Sequence, residues 1–236
     1  MGIVVEFEPI WFIIFFWTVG LSSVCIVFGF HLLSKKPKRY SSASLGLFFI
    51  GSSINFFAYP FIILSDIFAC LAYKIQVIGY MLSIEMTFIF GRSLTRKPSI
   101  RFLLVTSISS VLIIFIVWVI IPFRPIPVSY GYELNIDPWF FGFLGTYGYS
   151  SLIYLVFELL QIYKKTIDNE IRRRVIYIIG GYISLVISMT LLLTVLPITF
   201  NSAEIKPFGL SFATICIIIL YYGYRKGNTN SNREIH

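Results

Sequence analysis

Two ionisable side chains, Lys74 and Glu85, interrupt a long apolar stretch of the sequence. They are eleven residues apart, and eleven helical steps of about 100° end about 20° past three full turns, so both would lie on one face of a helix. Arg92, seven residues further on, would stay on that face. Since charges within a membrane are costly, such residues are candidate functional sites. We expect this stripe to face the interior of a bundle; the alternative is that Lys74 and Arg92 snorkel to the two membrane surfaces.

A second polar stripe follows nearer the carboxyl-terminal end of the chain. Its spacing of 4, 3, 4 and 3 residues predicts one helical face formed by Tyr147, Ser151, Tyr154, Glu158 and Gln161. Glu158 would lie at nearly the same depth as Glu85, so the two carboxylates could share one inner cavity, where one of them would keep its proton. The alternative is separate pairing, of Glu85 with a basic loop residue and of Glu158 with Arg172 or a hydroxyl. The predicted ligand-binding or switching residues are therefore Lys74, Glu85, Tyr154 and Glu158.

The composition shows whether the helices that carry these stripes are surrounded by water or by lipid. Of the 236 residues, 57% are hydrophobic and 13% are charged, and the mean hydropathy is +0.84. A soluble domain is about 45–50% apolar and about 25% charged. A chain this apolar has too few polar groups to cover its surface in water, which excludes a soluble globular fold. We predict an integral membrane protein whose first partner is the lipid bilayer.

Seven apolar runs are long enough to cross a bilayer, which takes about 20 helical residues. They lack period-two alternation, so the fold class that they predict is an all-α, seven-helix transmembrane bundle. The spans lie near residues 10–33, 42–64, 67–91, 102–122, 138–163, 175–199 and 207–224. Short connectors would make consecutive helices antiparallel neighbours. We expect residues 1–226 to form the transmembrane domain and residues 227–236 a disordered cytoplasmic tail, while the proline-containing connector 123–137 predicts a rigid cap or a ligand lid.

The basic residues predict the orientation of the bundle. Sixteen of the 19 Lys and Arg residues fall in the first, third and fifth connectors and in the tail. Cytoplasmic loops are enriched in Lys and Arg, so the amino terminus would lie outside and the carboxyl terminus inside. The same loops account for the net charge of +8, and no basic segment interleaved with aromatic residues predicts nucleic-acid binding. We expect a multi-pass protein of the plasma membrane.

Small and helix-perturbing residues predict how two of the spans pack. Gly180, Ser184 and Ser188 have small-xxx-small spacing in the sixth span, which lets helices approach closely. Asn55 and Pro60 predict a kink in the second span, with the freed polar groups satisfied by side-chain hydrogen bonds. We therefore expect these residues to serve helix packing before any chemistry.

The sequence carries no catalytic motif. Its three cysteines lie in apolar runs without metal-type spacing, and it has no Ser/His/Asp, Cys/His or Gly-rich phosphate-binding pattern. We predict a protein that is not an enzyme, with no catalytic residues, no metal site and no cofactor. A retinal protein is excluded because it needs a lysine midway along the last helix, whereas Lys206 and Lys226 lie at the ends of this one.

The carboxyl-terminal part follows a recognisable pattern. Residues 136–139 lead into the fifth helix, and a basic loop ends in Ile-Arg-Arg-Arg-Val-Ile-Tyr-Ile-Ile-Gly-Gly at 171–181. The last helix opens with Ile-Lys-Pro at 205–207 and ends with Tyr-Tyr-Gly-Tyr-Arg-Lys at 221–226. This pattern, together with the seven-helix topology, resembles the N-terminal membrane region of histidine kinases. The resemblance implies a sensory input module. Because no kinase domain follows Arg225 in this sequence, we expect a stand-alone bundle or one that signals through a separate partner.

For function, we predict a non-enzymatic, sensor-like membrane protein. A stimulus would enter from the outer face or from the membrane, and the basic inner loops would report it to a cytoplasmic signalling protein. The carboxylate stripes and Gly180 are the predicted switching parts. Two other hypotheses stay open: a small-solute transporter or channel lined by the charged and tyrosine residues of the two stripes, and a non-catalytic subunit of a larger membrane complex.

Overall fold

The computed structural model describes residues 9–35, 39–64, 66–119, 124–128, 131–135, 138–190 and 205–230. Within these ranges the chain forms seven long helices and one pair of short strands. The helices are α1 (Pro9–Leu33), α2 (Tyr40–Leu64), α3 (Asp66–Thr95), α4 (Ile100–Val119), α5 (Pro138–Lys165), α6 (Asn169–Ile187) and α7 (Lys206–Asn230). All seven are long and apolar enough to cross a bilayer. The predicted all-α seven-helix bundle is confirmed, and the protein is a multi-pass membrane protein.

Some helix ends differ from the predicted spans because hydropathy marks the apolar window, whereas helical hydrogen bonding continues through polar residues. The clearest case is α6, which begins at Asn169 rather than near 175, since the Asp168 carboxylate caps it by accepting from the backbone N–H of Glu170 at 2.7 Å. At the other end of the chain, α7 continues to Asn230, so residues 227–230 of the predicted disordered tail are helical. The predicted span ends 120–122 and 191–199, and the tail residues 231–236, lie outside the described residues.

The connector between α4 and α5 contains two strands, β1 (Arg124–Val128) and β2 (Gly131–Asn135). They pair antiparallel, with Arg124 opposite Asn135 and Val128 opposite Gly131. The prolines of β1 are compatible with this arrangement because a two-stranded sheet consists of edge strands only. Both strands contact α3, and β2 also contacts α2. The described part of this connector is therefore held against the bundle, in the position expected of a cap.

The outer surface of the helices is apolar. Phe16, Val105 and Ile153 are each about 70% exposed, and similar side chains cover one side of most helices. A monomeric soluble protein rarely exposes contiguous apolar patches of this extent. The exposed faces are therefore the lipid-facing faces of a membrane bundle.

Six of the seven helices pack in a ring. Its order is α1, α2, α3, α5, α6 and α7, and α7 closes the ring against α1. Helix α4 packs on the outside of α3. The predicted contact between the consecutive helices α4 and α5 is made by side chains, as between the hydroxyls of Ser109 and Tyr147 at 3.0 Å, although the backbone of α4 packs most closely against α3. The ring encloses the interior in which ligand sites of the bundle must lie.

The first three helices approach closely at paired glycines. A Cβ on Gly79 of α3 would stand 2.6 Å from both the backbone N of Asn55 and the carbonyl O of Gly51 on α2. Between α1 and α2, a Cβ on Gly29 would meet the carbonyl O of Gly46 at 2.9 Å. Small residues let backbones pack without side chains between them, which supplies the van der Waals contact that holds helices together in lipid.

The contact between α6 and α7 differs from the predicted one. Gly180 is exposed, and no neighbouring group lies within 4 Å of the position of its Cβ, so its predicted packing role is wrong. The adjacent Gly181 faces α7 instead, where a Cβ would meet Leu220 Cγ at 2.8 Å. Ser188 is fully buried and donates from Oγ to the carbonyl O of Gly209 at 2.7 Å. One residue step rotates a helical position by about 100°, which separates the packed face from the lipid face.

The close approach of α2 and α3 leads to a stability prediction. Gly79→Ala should lower the free energy of unfolding by about 1–3 kcal/mol, because the new methyl group overlaps backbone atoms that cannot rotate away. Gly180→Ala is the control and should be neutral or stabilising by up to about 1 kcal/mol, because alanine favours helix and nothing opposes its Cβ. Thermal and denaturant unfolding in detergent micelles measures both. Equal stability of the two variants would contradict this packing.

Candidate functional site

The buried carboxylate of Glu158 on α5 is the centre of a polar cluster. Glu158 is only 3% exposed. Its Oε2 accepts from the hydroxyl of Thr95 at 2.6 Å, and its Oε1 accepts from the hydroxyl of Tyr154 at 2.8 Å. Nη1 of Arg92 lies 3.5 Å from the same Oε1. We call these four residues the Glu158 cluster; both carboxylate oxygens have donors, as a charge buried in an apolar bundle requires.

Helical spacing and one glycine bring the cluster together. Tyr154 and Glu158 are four residues apart on α5, and Arg92 and Thr95 are three apart on α3, so each pair shares a helical face. Gly91 allows the two helices to meet, since a Cβ there would stand 3.3 Å from the Cα of Leu155. The site therefore depends on a close contact between α3 and α5, near the carboxyl-terminal end of α3.

Arg92 occupies a boundary position in the cluster. Its side chain is 20% exposed, and its guanidinium carbon lies 5.8 Å from the centre of the Phe102 ring on α4. Its Nε is buried and has no hydrogen-bond partner among the described residues. From α3, the guanidinium thus reaches both α4 and α5 while retaining partial access to the surface of the bundle.

The other predicted charges, Lys74 and Glu85, both face α4. The ammonium of Lys74 donates to the carbonyl O of Trp118 at 3.1 Å and lies 5.5 Å from the centre of its ring. That carbonyl is in the last turn of α4, where a cation also complements the helix dipole. Glu85 Oε1 accepts from the hydroxyl of Ser107. The two residues share a face as predicted, but the expectation that this face lines the interior is wrong, because α4 packs outside the ring.

The two carboxylates therefore have different partners. Glu85 is held by a hydroxyl of α4 rather than by a basic loop residue, and Glu158 is held by the cluster on α3 and α5. Arg172, one of the two partners predicted for Glu158 in that alternative, instead donates from Nε to the carbonyl O of Thr166 at 2.8 Å. The geometry is the separate pairing that the sequence left as an alternative. Glu158 has hydroxyl partners, as that alternative allowed, and the cation beside it is Arg92 and not Arg172.

A cavity of about 300 Å³ lies inside the ring, between α2, α3, α5 and α6. It is lined by apolar, aromatic and uncharged polar side chains, and Lys74, Glu85, Tyr154 and Glu158 are not among them. Sequence reasoning missed this site because it followed charges. An available signal was the uncharged polar stripe on α3, whose members Gln76, Tyr80, Ser83 and Thr87 are spaced 4, 3 and 4 residues apart.

Comparison of the sequence with protein-family models and with curated proteins finds no match. Three features of the structure then bear on function. They are the Glu158 cluster, the basic connectors next to it, and the cavity inside the ring.

The Glu158 cluster leads to a prediction about stability. Glu158→Gln should lower the free energy of unfolding by about 2–3 kcal/mol, because it leaves the guanidinium of Arg92 without its counter-ion. The loss should be smaller than the 3–5 kcal/mol typical of a fully buried pair, since Arg92 is partly exposed. Unfolding in mixed detergent micelles measures the change.

The matched control is Glu170→Gln. Glu170 is 46% exposed and pairs with Arg174 one turn along α6. Arg174 is 15% exposed, but the half-exposed carboxylate of Glu170 is screened by water, so this variant should lose clearly less stability than Glu158→Gln. If the two variants lost the same stability, the buried pair would not be a significant contact.

Proposed function

We propose that this protein is a non-enzymatic, sensor-like protein of the plasma membrane. A stimulus reaches it from the outer face or from the membrane, and its basic cytoplasmic connectors report the stimulus to a cytoplasmic signalling protein. The amino terminus lies outside and the carboxyl terminus inside. The resemblance of residues 136–226 to the membrane region of histidine kinases supports the same proposal.

The observation that carries this proposal is the position of the Glu158 cluster. It links α5 to the carboxyl-terminal end of α3, and the connector that follows α3 begins with the exposed residues Arg96 and Lys97. Helix α5 itself ends in Lys164 and Lys165. Any change in the packing of α3 against α5 would alter the distance between these two basic segments. A shift within the bundle would thus become a change on the cytoplasmic surface.

The energetics of the cluster favour two discrete arrangements over a gradual change. While Arg92 pairs with Glu158, the buried carboxylate is compensated. If Arg92 turned to the surface, Glu158 would lose its counter-ion while remaining buried, and that state requires a rearrangement of α5 that gives the carboxylate another partner. A stimulus that favours the second arrangement shifts the population by its difference in affinity for the two states.

The proposed orientation can be tested by cysteine labelling of a variant that lacks Cys25, Cys70 and Cys216. Ile167→Cys and Trp139→Cys place thiols at positions that are 91% and 87% exposed, at opposite ends of α5. A membrane-impermeant maleimide should label position 139 in intact cells and position 167 only after permeabilisation. Labelling of position 167 from the medium would overturn the orientation and with it the cytoplasmic output.

The switching role can be tested with spin labels at Lys97→Cys and Ile167→Cys, which report the distance between the two connectors. Glu158→Gln should shift or broaden the distance distribution in lipid nanodiscs, and Glu170→Gln should leave it as in the parent. Glu85→Gln tests the contact with α4 in the same way. If neither Glu158→Gln nor Glu85→Gln changed the distribution, the carboxylates would have no switching role.

A small-solute transporter is the second candidate, and the cavity inside the ring favours it. The charged residues predicted to line a solute path do not line this cavity, so the solute would have to be uncharged. Stopped-flow shrinkage of proteoliposomes in glycerol or erythritol measures such transport. A sensor leaves the solute permeability equal to that of protein-free liposomes, whereas a transporter raises it.

A further inference from the structure

The cavity inside the ring has a distinctive chemistry. The described residues that line it are all uncharged, and they combine aromatic rings and alkyl groups with hydroxyls and carboxamides. Its volume of about 300 Å³ is roughly ten times the 30 Å³ that one water molecule occupies in the liquid. This volume is at the lower end of the range found for small-molecule sites, and helix bundles commonly carry such sites between their helices.

Three serine and threonine hydroxyls in the lining are already satisfied by their own helices. Ser83 donates to the carbonyl O of Gly79 at 3.0 Å, Thr87 donates to that of Ser83 at 2.8 Å, and Ser151 donates to that of Gly148 at 2.7 Å. This back-bonding is usual for Ser and Thr within helices. These side chains therefore need nothing from the cavity.

Asn55 of α2 is different. It is 7% exposed, it lines the cavity, and its carboxamide has no hydrogen-bond partner among the described residues. The side-chain hydrogen bonds predicted for it near Pro60 are thus not formed. A carboxamide offers two donors and an acceptor, and burying it unpaired costs about 1–3 kcal/mol or more.

Two further polar side chains without a hydrogen-bond partner among the described residues lie on other walls of the cavity. Gln76 of α3 lines it and has no hydrogen bond among the described residues. Tyr182 of α6 is 3% exposed, and its hydroxyl is buried without a hydrogen-bond partner. The Thr87 hydroxyl lies near that of Tyr182 and donates its proton to the carbonyl O of Ser83, so its oxygen could only accept from Tyr182, and no hydrogen bond forms between the two hydroxyls. Three helices thus present unsatisfied polar groups around one space.

We propose that this cavity is a binding site for an uncharged small molecule with an aromatic or alkyl body and one or two hydrogen-bonding groups. Asn55 and Gln76 bind its polar groups, and the rings of Phe48 and Tyr80 pack against its body. A carboxylate or an ammonium is excluded, because it would be buried without a counter-ion. That such a ligand is the stimulus rests on the proposed function; the binding itself does not.

The test uses 4-[3-(trifluoromethyl)-3H-diazirin-3-yl]benzyl alcohol, an uncharged photoactivatable probe, with the full chain in lipid nanodiscs. After irradiation, mass spectrometry should locate the label in the cavity-lining parts of α3 and α5. This labelling should saturate and be displaced by the unlabelled 4-(trifluoromethyl)benzyl alcohol. The corresponding diazirinyl benzoic acid should not label these segments. Labelling confined to lipid-facing residues such as Phe16, without saturation, would overturn the proposal.

Two substitutions on α5 form a matched pair for the site. Gly145 lines the cavity, Gly142 does not, and open space surrounds the Cβ position of each. Gly145→Leu should abolish the saturable labelling by filling the space, and Gly142→Leu should preserve it. If both variants labelled as the parent does, the probe would not occupy this cavity. Thermal unfolding without probe shows that each variant is folded.

Two further variants test the polar groups. Asn55→Leu and Tyr182→Phe each remove a polar group that has no protein partner, so neither should lower stability in the absence of probe. Asn55→Leu should weaken saturable binding about three- to tenfold, the effect of one hydrogen bond. Unchanged binding in Asn55→Leu, or loss of stability in both variants, would contradict the assignment of these groups to a ligand.

The outcome for this site is separable from that for the proposed function. If the probe binds as expected but leaves the distance between spin labels at positions 97 and 167 unchanged, the site stands and the sensor role of this ligand fails. If the distance responds to Glu158→Gln but no saturable labelling occurs, the switch stands and the site is wrong.

Discussion

The hydrocarbon core of a membrane offers no hydrogen bonds, and this constraint governs every polar group of the protein. It forces the spanning segments into helices, which satisfy the backbone internally. It also explains why hydroxyls such as those of Thr18 and Thr106 return to carbonyls three or four residues earlier on their own helices. The charged side chains also have hydrogen-bond partners. Lys74 donates to the carboxyl-terminal end of α4, and Glu158 is surrounded by three donors. A polar group without a partner in this environment, such as the Asn55 carboxamide, is therefore an exception that calls for an explanation.

One part of the bundle interior is tightly packed, and another part contains a cavity. Between α1, α2 and α7 the interior is filled by large rings, with Phe28 stacked on Tyr221 at 3.8 Å and Phe49 buried beside them. The cavity lies instead between α2, α3, α5 and α6, which line it. Interiors of proteins are close-packed, so an opening of this size is uncommon without a use. Helix α2 belongs to both sides and is fastened to α1 and α3 by glycine contacts.

Helix α3 is the element on which the functional features meet. One face touches α2 at Gly79, another carries Lys74 and Glu85 against α4, and a third lines the cavity and then reaches the Glu158 cluster. Thr87 in the cavity wall and Arg92 in the cluster are five residues apart on this one rigid helix. A displacement of α3 caused by an occupant of the cavity would be transmitted directly to Arg92 and to the basic connector beyond it. This continuity is a physical route between the two proposed sites, and it requires α3 to have two arrangements.

The amino-acid sequence by itself determined the number of spans, their helical nature and the places where charges interrupt them. These properties depend on local composition, since a helix in lipid is stable wherever about 20 apolar residues follow one another. The helix ends were less accurate, as α6 and α7 show, because capping and helix continuation do not depend on hydropathy.

Only the tertiary structure decided which face of each helix is inside. In water, a buried face is marked by its apolar side chains, but in a membrane lipid and protein interior are equally apolar, so hydrophobic pattern does not distinguish them. For this reason the stripe of Lys74 and Glu85 was assigned to the interior although it faces α4, and Gly180 was chosen in place of Gly181. The pairing of Glu158 with Arg92 and the cavity depend on helices that are distant in sequence. Their assembly follows from the close contacts between helix backbones, which no single segment of the chain contains.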